Sequence, residues 1–415
     1  MHLGDVADAD AATYGKPLDG VRVLAVEQMQ ALPYATQLLA RLGAEVVKVE
    51  HPGAGETGRG SFPHVLDPEG RPVGATFLRN NLNKRSVALD LKHGTGRGLF
   101  LRLVPRFDVV CENFKAGTMD RLGLGYPVLA ERHPAVIFLS LSGFGNTVDT
   151  PYRSWPAYAS IVEAMSGIYE YRRETGARPR ANPVGALGDI SSALFGTIGV
   201  LAALRHRDRT GMGQRIDVAM LDAVVAMTDI VTNLWSLGVR GSVEDKIGAI
   251  VDTFAAGDGY FVLQAVRPQH FATLAEVIGR AAWNDDPRFA TSAGWIDNIG
   301  EVRSAIEAWA APLTKVEAAA RLSAAGLAAG PCLTPPEVIA DPHLAARDML
   351  VEVPRCDGVD QPVLVPGNPV KLSNIAEGPE TRVPWLGEHT GEVLAAELGL
   401  DHDELDKLRA DAVIG

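Results

Sequence analysis

The stretch 21–50 constrains the fold more than any other. VRVLAV (21–26) is an apolar run of strand length. Residues 33–42 carry a helical apolar pattern with proline in the first turn, and AEVVKVE (44–50) is a second strand-like run. Strand, helix and strand in close succession form a βαβ unit, which demands a parallel sheet with a right-handed crossover. The alternation continues, with strands predicted at 86–91, 108–112 and 135–141 and a helix at 96–106. The expected fold class is therefore α/β, with a Rossmann-like parallel sheet in a large domain.

The turn after the first strand is where a dinucleotide-binding fold carries its glycines. Here it reads Gln28-Met29-Gln30-Ala31-Leu32, without glycine. Glu50 stands near the place of a ribose-binding acid, but the pyrophosphate cradle is missing, which argues against a nicotinamide dehydrogenase. The glycine-rich HPGAGETGRG (51–60) lacks the GK[ST] of a P-loop. Gln30, Glu50, Lys92, Asn113, Phe114 and Gly143 all fall at or just past the C-terminal ends of predicted strands. Open α/β sheets place their ligands there.

At 415 residues the chain is long for one core. Residues 1–16 are acidic and rich in small residues, and are expected to form a loose leader rather than a signal peptide. Two strand-like runs joined by Gly257-Asp258-Gly259 signal a hairpin. It belongs to a smaller α+β domain over 225–332, whose exit is marked by Pro331, Pro335 and Pro336. Beyond it, short strands are expected around Val351 and Val370, then a charged helix from Gly391. A net charge of −12 argues against nucleic-acid and anionic-membrane partners. No uninterrupted apolar run reaches the roughly 18 residues of a membrane span. Three scattered cysteines fit a reducing compartment, so a cytoplasmic protein is expected.

The segment with most chemical content is Gly185-Ala186-Leu187-Gly188-Asp189, followed by the apolar run SALFGTIGVLAAL (192–204) and Arg205-His206-Arg207. A helix over 190–204 places Asp189 at its N-terminus. Two roles fit. Asp189 can cap the helix, or it can be a carboxylate nucleophile kept ionised by the same N–H groups and dipole. Gly188 would let a backbone or substrate come close. Neither HExxH, paired CxxC nor a G-x-S-x-G elbow occurs, so the sequence offers no metal-ligand cluster and no serine-hydrolase nucleophile.

GALGD resembles the catalytic aspartate motif of the family III CoA-transferases. PLDGVRVL, NKRSVALDLK and ENF…DRLGLGY precede it, and TGMGQRIDVAMLDA and WLGEHT follow it, in the family's order. The resemblance implies that Asp189 carries aspartyl anhydride and aspartyl-CoA intermediates while coenzyme A moves between carboxylic acids. It implies Gln30 near the acyl group, Lys92, Asn113, Phe114 and Arg121 on the coenzyme A nucleotide, and Glu50 and His51 beside it. The family often has a basic residue where His51 stands. Tyr158 would sit against the acyl group with Gly188. No tightly bound cofactor is implied, coenzyme A and acyl-CoA being substrates.

The resemblance also implies a discontinuous large domain (17–224 and 333–415) and an interlocked homodimer. The polyglycine loop of the formyl-CoA transferases is absent near 265–269, so acids other than oxalate or formate are expected. Two alternatives stay open: a 2-methylacyl-CoA racemase, whose second base would be a histidine where Tyr158 stands, and a catalytically idle CoA-binding homologue. Tyr152, Trp155, Tyr158 and Tyr169 are candidate walls of an acyl pocket. Arg153, Arg172 and Arg178 are candidates for holding a second carboxylate.

Overall fold

The computed structural model describes every residue except Asp8, Arg172, Val184 and 241–248. The chain divides into two compact units, Met1–Gly238 with Ala345–Gly415, and Val239–Leu344. The second unit thus begins and ends later than the 225–332 expected from the sequence.

The first unit is built on six strands: β1 (Arg22–Val26), β2 (Glu45–Glu50), β3 (Lys84–Ala88), β4 (Val109–Glu112), β5 (Ile137–Ser142) and β6 (Arg215–Ala219). They pair in the order β3-β2-β1-β4-β5-β6, every pair parallel. Alternate residues of each strand point to opposite faces, and both faces are buried. Leu24, Val26, Val47, Val49 and Val110 pack on one side with Leu99, Phe100 and Leu103 of α2 (Gly94–Leu103). Val23, Ala25, Val46, Val109 and Cys111 face the other way, toward α1 (Ala31–Arg41). Strand order reverses between β1 and β4, so the crevice of the fold opens where Val26 lies beside Glu112.

The long helix α4 (Leu187–Thr210) covers the second face through Ala193, Val200, Ala203 and Leu204. It is long and apolar enough to cross a membrane by length and composition, with half of its most apolar window buried inside the protein. Its other side exposes Leu194, Phe195, Ile198 and Leu201.

The chain beyond the second unit returns to the first. Helices Thr390–Leu398 and His402–Ala410 add Val393, Leu394 and Leu405 to the first core, and Ile414 bridges to Leu89. The leader is not loose. The Met1 amino group donates to the Leu350 carbonyl, Gly4 N–H donates to the Glu380 carbonyl, and His2 and Ala7 bridge to Glu352 and Glu377. Backbone groups of Met1, Gly4 and Ala7 thus find partners in the C-terminal segment, which ties down residues 1–7 despite their composition. The strand expected around Val370 is instead Val363–Pro366, paired with Leu350–Val353. After β6 a helix runs to Ala226, and a π-helical turn follows at Ile230–Leu234.

In the second unit, β7 (Ile250–Ala256), β8 (Gly259–Ala265) and β9 (Ala328–Pro331) form an antiparallel sheet ordered β9-β8-β7. Phe271 and Trp295 stack at 4.7 Å in its core, and Trp295 donates its indole N–H to the Phe289 carbonyl.

A buried ion cluster sits under the turn after β1. Glu27, fully buried, accepts from Lys84 at 2.7 Å and Lys48 at 3.3 Å, and from the Thr36 hydroxyl at 2.6 Å. Burial opposes its ionisation, but the two ammonium groups outweigh this and hold the carboxyl below its usual range. Glu27→Gln would leave two ammonium groups in the core with their shared carboxylate gone. We expect a loss of about 3–5 kcal/mol, measured as a lower urea midpoint.

Candidate active site

The turn after β1 has a left-handed residue where a dinucleotide fold would place glycine: Met29, at φ 60°. Two side chains hold this turn. Met29 N–H donates to Glu56 Oε2 at 2.7 Å, and Gln28 N–H donates to Asn113 Oδ1 at 2.8 Å. Asn113 returns a bond from Nδ2 to the Gln28 carbonyl at 3.0 Å. The turns after β1 and β4 are thereby clamped together at the crevice.

Two cavities open there. One, of about 440 Å³, is lined by Gln28, Met29, Asn113, Phe114, Lys115, Ser142, Gly143, Arg153, Trp155, Tyr158 and Asp189. The other, of about 330 Å³, has apolar walls from Val26, Val49, Leu89, Leu91 and Leu122, with His51, Lys92 and Thr118 beside them. Gln28 and Phe114 belong to both.

Asp189 is the third residue of α4, and the cap position falls on Ala186, in left-handed conformation at φ 55°. Among the described residues its carboxylate accepts no hydrogen bond from the first turn of that helix, which removes the capping role. Its pKa is raised to about 6, first by burial and then by the nearby Glu163 carboxylate. The sequence reading, in which the helix end keeps the group ionised, is thus corrected in sign. At neutral pH the ionised form still predominates, since pH 7 lies above that value.

Glu163 comes from α3 (Ala159–Met165) and is 1% exposed. Its Oε1 accepts from Gly188 N–H at 3.2 Å and its Oε2 from the Tyr169 hydroxyl at 2.8 Å. Gly188 is needed for the close packing of α4 on α3. A Cβ there would lie 2.7 Å from Val162 Cγ2 and 3.1 Å from Ala159 Cα.

The other predicted residues divide. Tyr158, 71% exposed, lines the first cavity with Trp155 and Arg153. Lys92 and His51 line the second, and Phe114 lines both. Gln30 lines neither; it precedes α1, and the left-handed Met29 leaves Gln28 at the cavities instead. Glu50 borders the second cavity with its carboxylate engaged by Arg59 through two bonds of 2.7 Å and by Ser86. Arg121 lines neither cavity and donates to Thr118 Oγ1 at 2.8 Å. Asn113 spends its amide on the turn clamp. Tyr152 packs behind Trp155 at 4.8 Å, and Tyr169 and Arg178 border a separate cavity. Arg172 lies outside the described residues. Sequence reasoning missed Gln28, Lys115 and Glu163. The available signal for Glu163 was a lone acid inside the apolar helical pattern at 157–167.

Comparison with known proteins gives one answer. A family profile for CoA-transferase family III matches residues 18–390. The chain is 35% identical over 385 residues to a succinyl-CoA:mesaconate CoA-transferase of Haloarcula hispanica, covering 91% of this chain and 95% of that one. It is 33% identical over 419 residues to a formyl-CoA:oxalate CoA-transferase of Streptomyces avermitilis, covering 96% and 100%. The crystal structure of a CAIB/BAIF family protein from Brucella suis superposes with a TM-score of 0.80 at 32% identity, over 92% of this chain and 99% of that one.

Gly188→Ala should push α4 off α3 at the position of Asp189. We expect about 1–3 kcal/mol of lost stability, read by chemical denaturation, with a larger proportional loss of any activity that depends on Asp189.

Proposed function

The chain belongs to CoA-transferase family III, and from this we propose that Asp189 carries the covalent chemistry of transfer between an acyl-CoA donor and a carboxylic acid acceptor. The observation that carries the reading is the position of Asp189: a desolvated carboxylate in a cavity that shares Gln28 and Phe114 with a second, mostly apolar cavity at the crevice of the sheet. The second cavity suits the nucleotide end of coenzyme A, with Lys92 for phosphate and Phe114 against the adenine or the start of the arm. The first suits the thioester.

In this mechanism the Asp189 carboxylate attacks the thioester carbonyl and expels the CoA thiolate, giving a mixed anhydride. The thiolate then attacks the aspartyl carbonyl, releasing the donor acid as its carboxylate and leaving aspartyl-CoA. The acceptor carboxylate attacks that thioester, expelling the thiolate again. The thiolate takes the acceptor's acyl group from the new anhydride and frees Asp189. No net proton moves, so the cycle needs an ionised nucleophile rather than an acid–base pair. Gly188 N–H is engaged by Glu163, so other donors must meet the oxyanion.

Lys115 and Arg153 line the first cavity without a carboxylate partner among the described residues. They suit anionic substrates. Since relatives are named for succinyl-CoA, mesaconate and oxalate, dicarboxylic acids head the panel to be tested. A racemase would need a second base, and Tyr158 stands where the histidine would be; a phenol is a poor proton shuttle at neutral pH. The exposed Leu194, Phe195, Ile198 and Leu201 stripe on α4 supports a homodimer, because a second copy would take this apolar face out of water.

Three outcomes follow. Mass spectrometry after incubation with an acyl-CoA panel should find label on the Asp189 peptide, absent in Asp189→Asn, and transfer should fall by at least about a thousandfold in that variant. α-Proton exchange of a branched acyl-CoA without any label would overturn the transferase reading. Transfer should also decline as pH drops through about 6, where Asp189 is protonated. Finally, Ile198→Glu, at a site 60% exposed in the single chain, should shift the mass measured by light scattering from dimer toward monomer.

A further inference from the structure

The buried acid at position 163 has no part in the transfer chemistry as written, yet it is tied to the nucleophile's own turn. Glu163 does not line the cavity that holds Asp189, so it does not meet the substrate there. Both of its oxygens are occupied inside the protein, one by Gly188 N–H at 3.2 Å and one by the Tyr169 hydroxyl at 2.8 Å. Neither partner is a cation, and no ion pair offsets its charge among the described residues. The first turn of α4 is therefore anchored by a carboxylate bound to the backbone N–H of the residue that precedes Asp189.

We propose that Glu163 is a positioning residue for Asp189: it fixes the Gly188–Asp189 turn through the Gly188 N–H, and its uncompensated charge makes acylation of Asp189 more favourable by disfavouring the free carboxylate. The proposal rests on Asp189 being the nucleophile. Its physical basis is the cost of holding two like charges close together out of water. Acylation turns Asp189 into a neutral anhydride or thioester and relieves that repulsion, so the cost falls on the resting enzyme and not on the intermediate. An amide at position 163 would hold the same turn without supplying the charge.

The surroundings leave Glu163 as the dominant anion acting on Asp189. Gly188 N–H and Asp189 face it from α4, and the Tyr169 hydroxyl faces it from the segment after α3. The neighbouring helix Met220–Ala226 carries Asp222, which is exposed to solvent. On the cavity side Asp189 shares its walls with Arg153, Lys115 and Tyr158. Burial is the larger influence raising the Asp189 pKa, and among the described residues Glu163 is the charged group that adds to it.

The test is a direct titration of the Asp189 carboxyl by 13C NMR on protein labelled at the aspartate side-chain carbon. The resonance is assigned by its absence in Asp189→Asn. Glu163→Gln preserves an acceptor for Gly188 N–H and a partner for Tyr169, so the fold should persist. Glu163→Leu, which relies on packing alone, replaces it if the amide is not accommodated. The midpoint of Asp189 should fall by about one pH unit, a tenfold change in its acid dissociation constant. Tyr169→Phe keeps the charge and should leave the midpoint near wild type. The fraction of enzyme trapped as the Asp189 adduct at a fixed acyl-CoA concentration should fall several-fold in Glu163→Gln. An unmoved midpoint, or an equal fall in Tyr169→Phe, would overturn the proposal by assigning the effect to packing. A lowered midpoint with no adduct in any protein would instead locate the failure in the nucleophile assignment.

Discussion

Glu27 is the charge on which the crevice depends. It stands immediately after β1 and receives Lys48 from β2, Lys84 from β3 and Thr36 from α1. One carboxylate thus gathers three neighbouring strands and the helix that links two of them. Lys84 also donates to the Pro33 carbonyl and to Asn81, and burial pulls its pKa down to about 8. Such a cluster adds little net stability compared with a well-packed apolar core, but it tolerates few alternative arrangements. That selectivity suits the base of a turn that must hold Met29 in a left-handed conformation without glycine. Glu56 extends the same network upward, accepting from Met29 N–H and Gly58 N–H.

Asp189 shows how two effects on one carboxylate compete. A helix N-terminus favours an anion, but its reach is short and is greatest where free N–H groups point at the charge. Asp189 lies inside the first turn, its neighbour's N–H is given to Glu163, and burial together with Glu163 prevails. The result is a more basic carboxylate than a solvent-exposed aspartate. It remains ionised at neutral pH, yet its free anionic form is costly to keep.

Most of the large sheet was legible in the sequence because a doubly buried parallel strand is a short, unbroken apolar run, and β1, β2, β4 and β5 each lie within two residues of where such runs fall. Where local signals were weak, the chain departed from the reading. Residues 1–7 look like a leader, and only the distant 350–380 segment gives their backbone its partners. The candidate site was legible in part. Asp189, Phe114, Lys92 and Tyr158 reach the two cavities, but Gln30 gives way to Gln28, because the direction of a side chain in a turn depends on the left-handed residue between them. Glu163 was hidden for another reason. A single acid in an apolar helix gives no sign of its partner, and its partner here is a backbone N–H 25 residues downstream.

The return of the chain after the second unit bears on how the protein is made. Val413 and Ile414 are buried in the core that also holds Leu24 and Val47, and Asp90 N–H donates to the Val413 carbonyl. During vectorial synthesis the ribosome therefore releases a parallel sheet with one face incompletely covered and must complete the inserted unit before the covering helices emerge. Contacts of such long sequence separation form late and slowly. In the interval, the uncovered face is the surface most in need of a chaperone.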